Sequence, residues 1–188
     1  MTAGDAPPAP RRHALVLGGA RSGKTARAQA WAEALGPARV YLATAQAFDD
    51  EMADRIARHQ AERGAGWATL ETPLDLPAAV ASAAAAPGPA AADVLLVDCL
   101  TLWLSNLMHH DRDPEAETAA LLSALAGAPR PVILVSNELG LGLVPETPLG
   151  RAFRDAQGRL NQAVAAAVDD VVFVAAGLPL VLKGRLPA

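Results

Sequence analysis

The sequence predicts a single α/β domain, a mainly parallel sheet covered by helices on both faces, and three observations lead there. Short apolar runs such as Val94-Leu95-Leu96-Val97 and Val132-Ile133-Leu134-Val135 alternate with stretches of strong helix formers. Runs apolar throughout, instead of alternating, are the mark of strands buried on both faces. Between the first such run and the first helical stretch stands Gly18-Gly19-Ala20-Arg21-Ser22-Gly23-Lys24-Thr25. It fits the phosphate-binding pattern G-x-x-x-x-G-K-[ST] in the strand–turn–helix context that pattern requires. The chain has 188 residues, 52% of them hydrophobic, enough for one well-buried core. The expected fold is therefore of the P-loop NTPase type, RecA-like. Residues 13–188 are expected to form the domain, and Met1 to Arg12 a Pro-rich disordered tail.

Taken in order, Ala14-Leu15-Val16-Leu17 reads as a buried strand and Ala26 to Leu35 as a helix stopped by Gly36-Pro37. A second strand, Arg39 to Ala43, ends at Thr44-Ala45-Gln46. Asp49 and Asp50 open an acidic first turn of a helix running to about Arg63, where Gly64-Ala65-Gly66 ends it. Trp67 to Glu71 is a short strand, followed by an Ala-rich helix that stops before Pro87-Gly88-Pro89. Val94 to Asp98 is a strand ending in an acid. Helices are predicted from Leu100 to Met108 and from Pro114 to Leu125, with polar His109 to Asp113 between them. Pro131 to Ser136 is a further buried strand, Asn137 to Pro148 a Gly- and Pro-bearing loop, and Leu149 to Val168 a long helix. Val171 to Ala175 and Leu178 to Leu182 close the sheet. In such sheets ligands gather where strands end.

Composition narrows the function classes. The net charge of −4 and the absence of a long basic block argue against a nucleic-acid surface and a polybasic membrane patch. No uncharged apolar run is long enough to span a bilayer. The single Cys99 excludes an intramolecular disulfide and a cysteine-only zinc site, which suits a reducing cytoplasm. Lysine occurs only at Lys24 and Lys183, so the guanine-selecting tetrapeptide Asn-Lys-x-Asp of many GTPase switches is impossible.

The chemistry-bearing residues follow from the loop. Backbone N–H groups at a helix N-terminus form an anion cradle, Lys24 reaches the β- and γ-phosphates, and the Thr25 hydroxyl holds Mg²⁺. Asp98, after four apolar residues, has the form of an acid that binds Mg²⁺ directly or through water. Cys99 reads as a small buried hydrophobe. His13, His109 and His110 read as surface residues. On the helix ending near Arg63, Arg55, His59 and Arg63 recur every four residues and share a face. Flanking cations keep the imidazole neutral and attract phosphate, a setting for attack on phosphorus. Residue types alone equally describe a solvated face with an idle histidine, and favour it. Arg151, Arg154 and Arg159, with Asp155 and Asn161, either clamp phosphates or lie exposed.

Several ordered motifs are more specific than the loop. Beside it stand Ala43-Thr44-Ala45, Asp50-Glu51-Met52 and Arg55-Ile56-x-x-His59. Farther on come Asn137-Glu138-x-Gly140-x-Gly142-x-Val144-Pro145 and Phe153-Arg154-Asp155-x-x-Gly158-Arg159-x-Asn161-Gln162. With these the chain resembles the adenosylcobinamide kinase / adenosylcobinamide-phosphate guanylyltransferase family over nearly everything but the N-terminal tail. The resemblance implies an enzyme of cobalamin biosynthesis that phosphorylates the aminopropanol hydroxyl of adenosylcobinamide with ATP or GTP. It then transfers GMP from GTP to the resulting phosphate, releasing pyrophosphate. The histidine that carries GMP falls on His59, reversing the reading from residue types. The nucleotide contacts fall on Gly18, Gly19, Ala20, Arg21, Ser22, Gly23, Lys24 and Thr25. They also fall on Leu42, Ala43 and Thr44, on Gln60, Ala61, Glu62 and Arg63, and on Glu71 and Asp98. Lys24 is the second catalytic residue, Thr25 and Asp98 the Mg²⁺ ligands, and a homotrimer the expected assembly. The competing reading is a single-activity P-loop kinase of a small hydroxylated metabolite, which leaves His59 idle.

Overall fold

The computed structural model describes residues 12–46, 64–88 and 91–186. Through them run β1 (Ala14–Gly18), α1 (Lys24–Leu35), β2 (Arg39–Ala43), β3 (Trp67–Glu71), α2 (Leu76–Ala85) and β4 (Val94–Asp98). Then come α3 (Leu100–His109), α4 (Pro114–Gly127), β5 (Val132–Asn137), α5 (Pro148–Ala167), β6 (Asp170–Ala175) and β7 (Leu178–Lys183). The helix expected between Asp49 and Arg63 lies outside the described residues, as does the expected tail through residue 11. Helix α1 starts two residues before the expected Ala26, because Gly23 takes a left-handed conformation (φ 92°) and turns the chain directly into it.

The strands form one sheet in the order β3-β2-β4-β5-β1-β6-β7. Every pair is parallel except β6 with β7, which the two-residue turn Ala176-Gly177 makes antiparallel. Strand β5 therefore separates β1, which leads into the glycine loop, from β4, which ends at Asp98. Gly18 pairs with Asn137, while Asp98 pairs with Val135 and with Ala43. The ends of β1, β5, β4 and β2 thus share one edge of the sheet.

Alternate residues of the buried strands feed two cores. Leu15, Leu17, Leu42, Leu95, Val97 and Leu134 pack with Leu76, Trp103, Leu125 and Leu160 of α2 to α5. Val16, Leu96, Ile133, Val135 and Val172 face the other way, onto Ala28, Trp31 and Ala32 of α1. Trp103 is completely buried, and its indole N–H donates to the Leu74 carbonyl at 2.8 Å. Helix ends are satisfied locally. Asp113 and Thr147 accept at the N-termini of α4 and α5, each with proline in the next position. Lys183 donates to the carbonyls of Ala165, Ala166 and Val168 at the C-terminal end of α5.

Arg12, expected to end the tail, is instead tied to the domain. Its guanidinium holds the buried Asp170 through bonds of 2.9 and 2.6 Å, and the Arg185 amide donates to the same carboxylate at 2.8 Å. His13 is not a surface residue either. It is half-buried, and its Nδ1 accepts from the Val132 amide at 3.1 Å, joining the starts of β1 and β5. Burial outweighs the neighbouring Asp169 and lowers the His13 pKa.

Burial pushes the Asp170 carboxyl upward, but the bonds from Arg12 and Arg185 and their positive charge prevail and hold it below the usual carboxylate range. A depressed carboxylate contributes stability above its unfolded value of about 3.9, which is lost as pH falls through the folded value. Asp170→Asn should accordingly lower the urea midpoint at pH 7. The gap to wild type should shrink steadily below about pH 4, and urea titrations at stepped pH values check it.

Candidate nucleotide site

The turn from β1 into α1 is shaped by what glycine permits. A Cβ on Gly18 would lie 2.5 Å from Ser22 Oγ and 2.6 Å from the Val174 carbonyl, closer than real side chains approach backbone. Arg21 (φ 56°) and Gly23 (φ 92°) both adopt left-handed conformations, and a Cβ on Gly23 would meet the Gly177 Cα at 3.3 Å. Within the loop the Ser22 amide donates to the Gly19 carbonyl at 3.3 Å. The Arg27 amide makes the first bond of α1, to the Gly23 carbonyl at 3.0 Å. The amides of Lys24, Thr25 and Ala26 thus precede the intrahelical ladder, and the positive end of the helix dipole faces the loop. Lys24 Nζ reaches back to the Gly19 carbonyl at 3.1 Å, bridging the mouth of the turn. Ser22 Oγ is buried with no hydrogen-bond partner among the described residues. A buried hydroxyl left unmatched in this way suits a site completed by an acceptor from outside.

Across the edge, Asp98 ends β4, and its Oδ2 accepts from the Tyr41 hydroxyl at 3.0 Å. Cys99 follows Asp98 and feels the charges of both Asp98 and Lys24. Burial, then the Asp98 charge, pushes that thiol up to about 11, against the opposing pull of Lys24. Cys99 is therefore the inert hydrophobe its composition suggested. Thr44 fastens the turn after Asp98: its hydroxyl donates to the Cys99 carbonyl and accepts from the Cys99 amide, both at 2.8 Å. Asn106 locks Thr44 in turn, donating to its carbonyl at 2.8 Å and to that of Pro73 at 3.0 Å.

The sheet edge brings together most of the residues expected at the nucleotide. Gly18 to Thr25, Ala43, Thr44, Glu71 and Asp98 stand at adjacent strand ends, with Glu71 paired to Ala43. Their parts differ. The Leu42 side chain is fully buried in the core, and the Thr44 side chain is fully buried with its hydroxyl engaged by Cys99. Both support the edge from beneath, whereas Glu71 is exposed. His59, Gln60, Ala61, Glu62 and Arg63 lie outside the described residues. Among the described residues, no group of three or more His, Cys, Asp or Glu could hold a metal ion. The Thr25 hydroxyl and the Asp98 carboxylate are hard oxygen donors of the kind Mg²⁺ takes, and Mg²⁺ does not depend on a dedicated protein cage.

Some contributors escape the sequence. The Gly177 amide donates to the Ser22 carbonyl at 2.8 Å, so the β6–β7 turn braces the loop. Ala176 (φ 51°) and Gly177 (φ 78°) are both left-handed, the signature of a type I′ hairpin, and the glycine between two apolar runs is the cue for it. Behind the edge lies a buried polar cluster: Ser136 Oγ donates to Asn161 Oδ1 at 2.7 Å, and Gln157 Nε2 donates to both at 2.9 Å. Asn161 Nδ2 donates to the Asn137 carbonyl at 3.0 Å. Gln157 and Asn161 sit four apart on a face otherwise made of Ala, Leu and Val, which is the pattern that points to such a cluster.

A glycine turn drawn tight between two pieces of backbone, with a lysine folded over it and an acid two strands away, is built to receive a polyphosphate, and with this sheet it defines a P-loop nucleotide-binding protein. Solved structures agree on the fold. The KaiC-like protein PH0186 from Pyrococcus horikoshii OT3 superposes with a TM-score of 0.53 at 15% identity, over 93% of this chain and 79% of that one. The RadB recombinase does so with a TM-score of 0.50 at 14% identity, over 93% and 81%. The chain belongs to the cobinamide kinase / cobinamide phosphate guanyltransferase family, whose model matches residues 14–182. The bifunctional adenosylcobalamin biosynthesis protein CobP of Pseudomonas aeruginosa is 51% identical over 174 residues, 91% of this chain and 97% of that protein. The CobU protein of Salmonella typhimurium is 40% identical over 186 residues, 90% of this chain and 98% of that one.

Two substitutions separate shape from support. Gly18→Ala drives a methyl into the Val174 carbonyl and should cost about 1–3 kcal/mol in urea unfolding and abolish detectable GTP binding by calorimetry. Thr44→Val leaves the Cys99 amide unmatched, while the Cys99 carbonyl keeps the Trp103 amide at 3.1 Å; this should cost about 1–3 kcal/mol while GTP still binds to the surviving fold.

Proposed function

We propose that this chain carries out both family reactions: phosphorylation of the aminopropanol hydroxyl of adenosylcobinamide, then transfer of GMP from GTP to adenosylcobinamide phosphate. The observation that carries the reading is the phosphate cradle closed by Lys24, on the same sheet edge where Asp98 ends β4, in a chain whose residues 14–182 match this family. In the first reaction the cradle holds the triphosphate of ATP or GTP, and the acceptor oxygen bonds to the γ-phosphorus as the bond to the nucleoside diphosphate breaks. In the second, a ring nitrogen of His59 attacks the α-phosphorus of GTP. The N–P bond forms, the bond to the bridging oxygen breaks, and pyrophosphate leaves with the electron pair. An oxygen of adenosylcobinamide phosphate then displaces the imidazole, yielding adenosylcobinamide-GDP and restoring His59.

The chain's own groups divide the work. Loop amides from Gly18 to Thr25 and the Lys24 ammonium neutralise charge that builds on the phosphates. Thr25 and Asp98 would hold Mg²⁺, which supplies further charge neutralisation at the phosphate oxygens. Tyr41 keeps the Asp98 carboxylate in one orientation. Ala43, Glu71 and Gln60 to Arg63 are proposed to contact the nucleotide beyond its phosphates. A cytoplasmic homotrimer is the proposed setting, on the family resemblance and the single free cysteine.

The test uses GTP labelled at the α-phosphorus. Wild-type protein with Mg²⁺ should form a GMP-sized, acid-labile adduct, discharged by cobinamide phosphate; His59→Ala should form none while still binding GTP. Phosphorylation of cobinamide without any adduct in wild type would leave a single-activity kinase.

A further inference from the structure

A cavity of about 710 Å³ opens between α5 and the β6–β7 edge, and it does not belong to the phosphate cradle. Leu17 and Glu138 are part of its lining. Leu17 immediately precedes the loop, and the Glu138 amide donates to the Gly18 carbonyl at 3.2 Å. The cavity therefore reaches the start of the phosphate loop. It runs along one stripe of α5 that includes Arg154, Gly158 and Arg159, over an apolar floor that includes Val171. Its volume is that of a small-molecule site.

Two features mark it as a site left for a ligand. Gly158 lies in the middle of a 20-residue helix, and a Cβ built there meets nothing within 4 Å. Glycine is the weakest helix former after proline, and no packing, turn or positive φ requires it here. The space a side chain would fill is part of the cavity. Arg154, one turn earlier on the same stripe, has a side chain only 23% exposed. Its one ion pair among the described residues is with Asp155 at 3.8 Å, beyond hydrogen-bond reach. A largely desolvated guanidinium with its fork unmatched is suited to a phosphate or carboxylate. Other charges leave that role to it. Lys183 is engaged by the carbonyls at the end of α5. Glu138 turns Oε1 onto the Gly140 amide at 2.7 Å, and Arg159 is exposed with Glu115 at 3.5 Å.

We propose that this cavity is the acceptor subsite, in which Arg154 binds the phosphomonoester of the phosphorylated corrinoid arm and the bare face at Gly158 admits the arm beside it. The proposal rests on the reading of the chain as a guanylyltransferase. It places the acceptor against β1 and α5, with the donor triphosphate at the adjoining loop.

Two variants test it, read by urea unfolding, by adduct formation with labelled GTP, and by adduct discharge with cobinamide phosphate. Gly158→Ala should raise the urea midpoint, leave adduct formation unchanged, and raise KM for cobinamide phosphate about tenfold or more, as loss of one contact of this kind does. Arg154→Gln should leave the midpoint and adduct formation unchanged, and raise the same KM about tenfold to a hundredfold, the range for a lost charge-assisted bond. It should change KM for unphosphorylated cobinamide by less than about threefold. Wild-type KM for the phosphate in both variants would overturn the assignment. So would loss of adduct formation in parallel, which would give the cavity to GTP. A change of oligomeric mass in Gly158→Ala would overturn it too, giving the cavity to a second copy of the chain. If wild type forms no adduct, the guanylyltransferase reading fails by itself. Calorimetry with cobinamide phosphate then still decides the cavity: tighter binding to wild type than to Arg154→Gln supports it, and equal binding sinks it.

Discussion

The phosphate loop is held open by backbone clamped on backbone. On one side the Glu138 amide bonds to the Gly18 carbonyl; on the other the Gly177 amide bonds to the Ser22 carbonyl. The loop tolerates no side chain at two points: a Cβ on Gly18 would strike the Val174 carbonyl, and one on Gly23 would crowd the Gly177 Cα. A nest of amides left to itself would fold its N–H groups onto its own carbonyls. Fixing the Gly18 and Ser22 carbonyls from outside removes both as partners for the loop's own amides, of which that of Ser22 turns onto Gly19. These clamps are made by the chain itself, which reduces the ordering that binding has to supply. The lone buried Ser22 hydroxyl is the visible cost of preparing a site in advance.

The clamps also explain the sheet order. Strand β5 must lie beside β1 for Glu138 to reach Gly18, and β6 on the other side for its hairpin to reach Ser22. Asp98 is then displaced by one strand, onto β4. Its position is not fixed by the clamps but by a separate set of bonds, from Tyr41 to its carboxylate and from Thr44 to the following residue. Two independent pieces of scaffolding thus meet at one edge: one holds the cradle, the other the acid that faces it.

Much of this was legible in the chain. The strands buried on both faces are near-continuous apolar runs, and the loop announces itself by residue type and context together. Among the described residues, elements from Arg39 onward fall within a residue or two of their expected bounds, since Gly, Pro and capping residues punctuate them. What the sequence hid depends on contacts between distant segments. Nothing local marks Gly177 as a brace for Ser22, or His13 as a partner of Val132. Leu42 and Thr44 illustrate the same limit within the site. Residue type places them at the correct strand end, yet only packing reveals that both side chains turn away from the edge. Arg154 could not be assigned from its sequence at all. Whether an arginine on an amphipathic helix is a clamp or a solvated charge depends on what lies across from it.

One cradle serving two reactions poses a geometric problem whose answer constrains the rest of the chain. Loop amides recognise phosphate by charge and hydrogen bonding, and they grip a triphosphate in one orientation irrespective of which phosphorus reacts. The kinase step opens the γ-phosphorus and the transferase step the α-phosphorus, so the choice must come from where the nucleophile stands. In-line displacement requires each nucleophile opposite its own leaving group, and the γ- and α-phosphorus atoms are separated by the length of the chain between them. A single fixed group cannot satisfy both. On the proposed reading the chemistry divides between a cradle that stays constant and two nucleophiles that approach it from different positions, the acceptor hydroxyl for one and the proposed His59 imidazole for the other. The proposed acceptor cavity meets this requirement, because Leu17 and Glu138 line it at the start of the loop while no residue from Gly18 to Thr25 does.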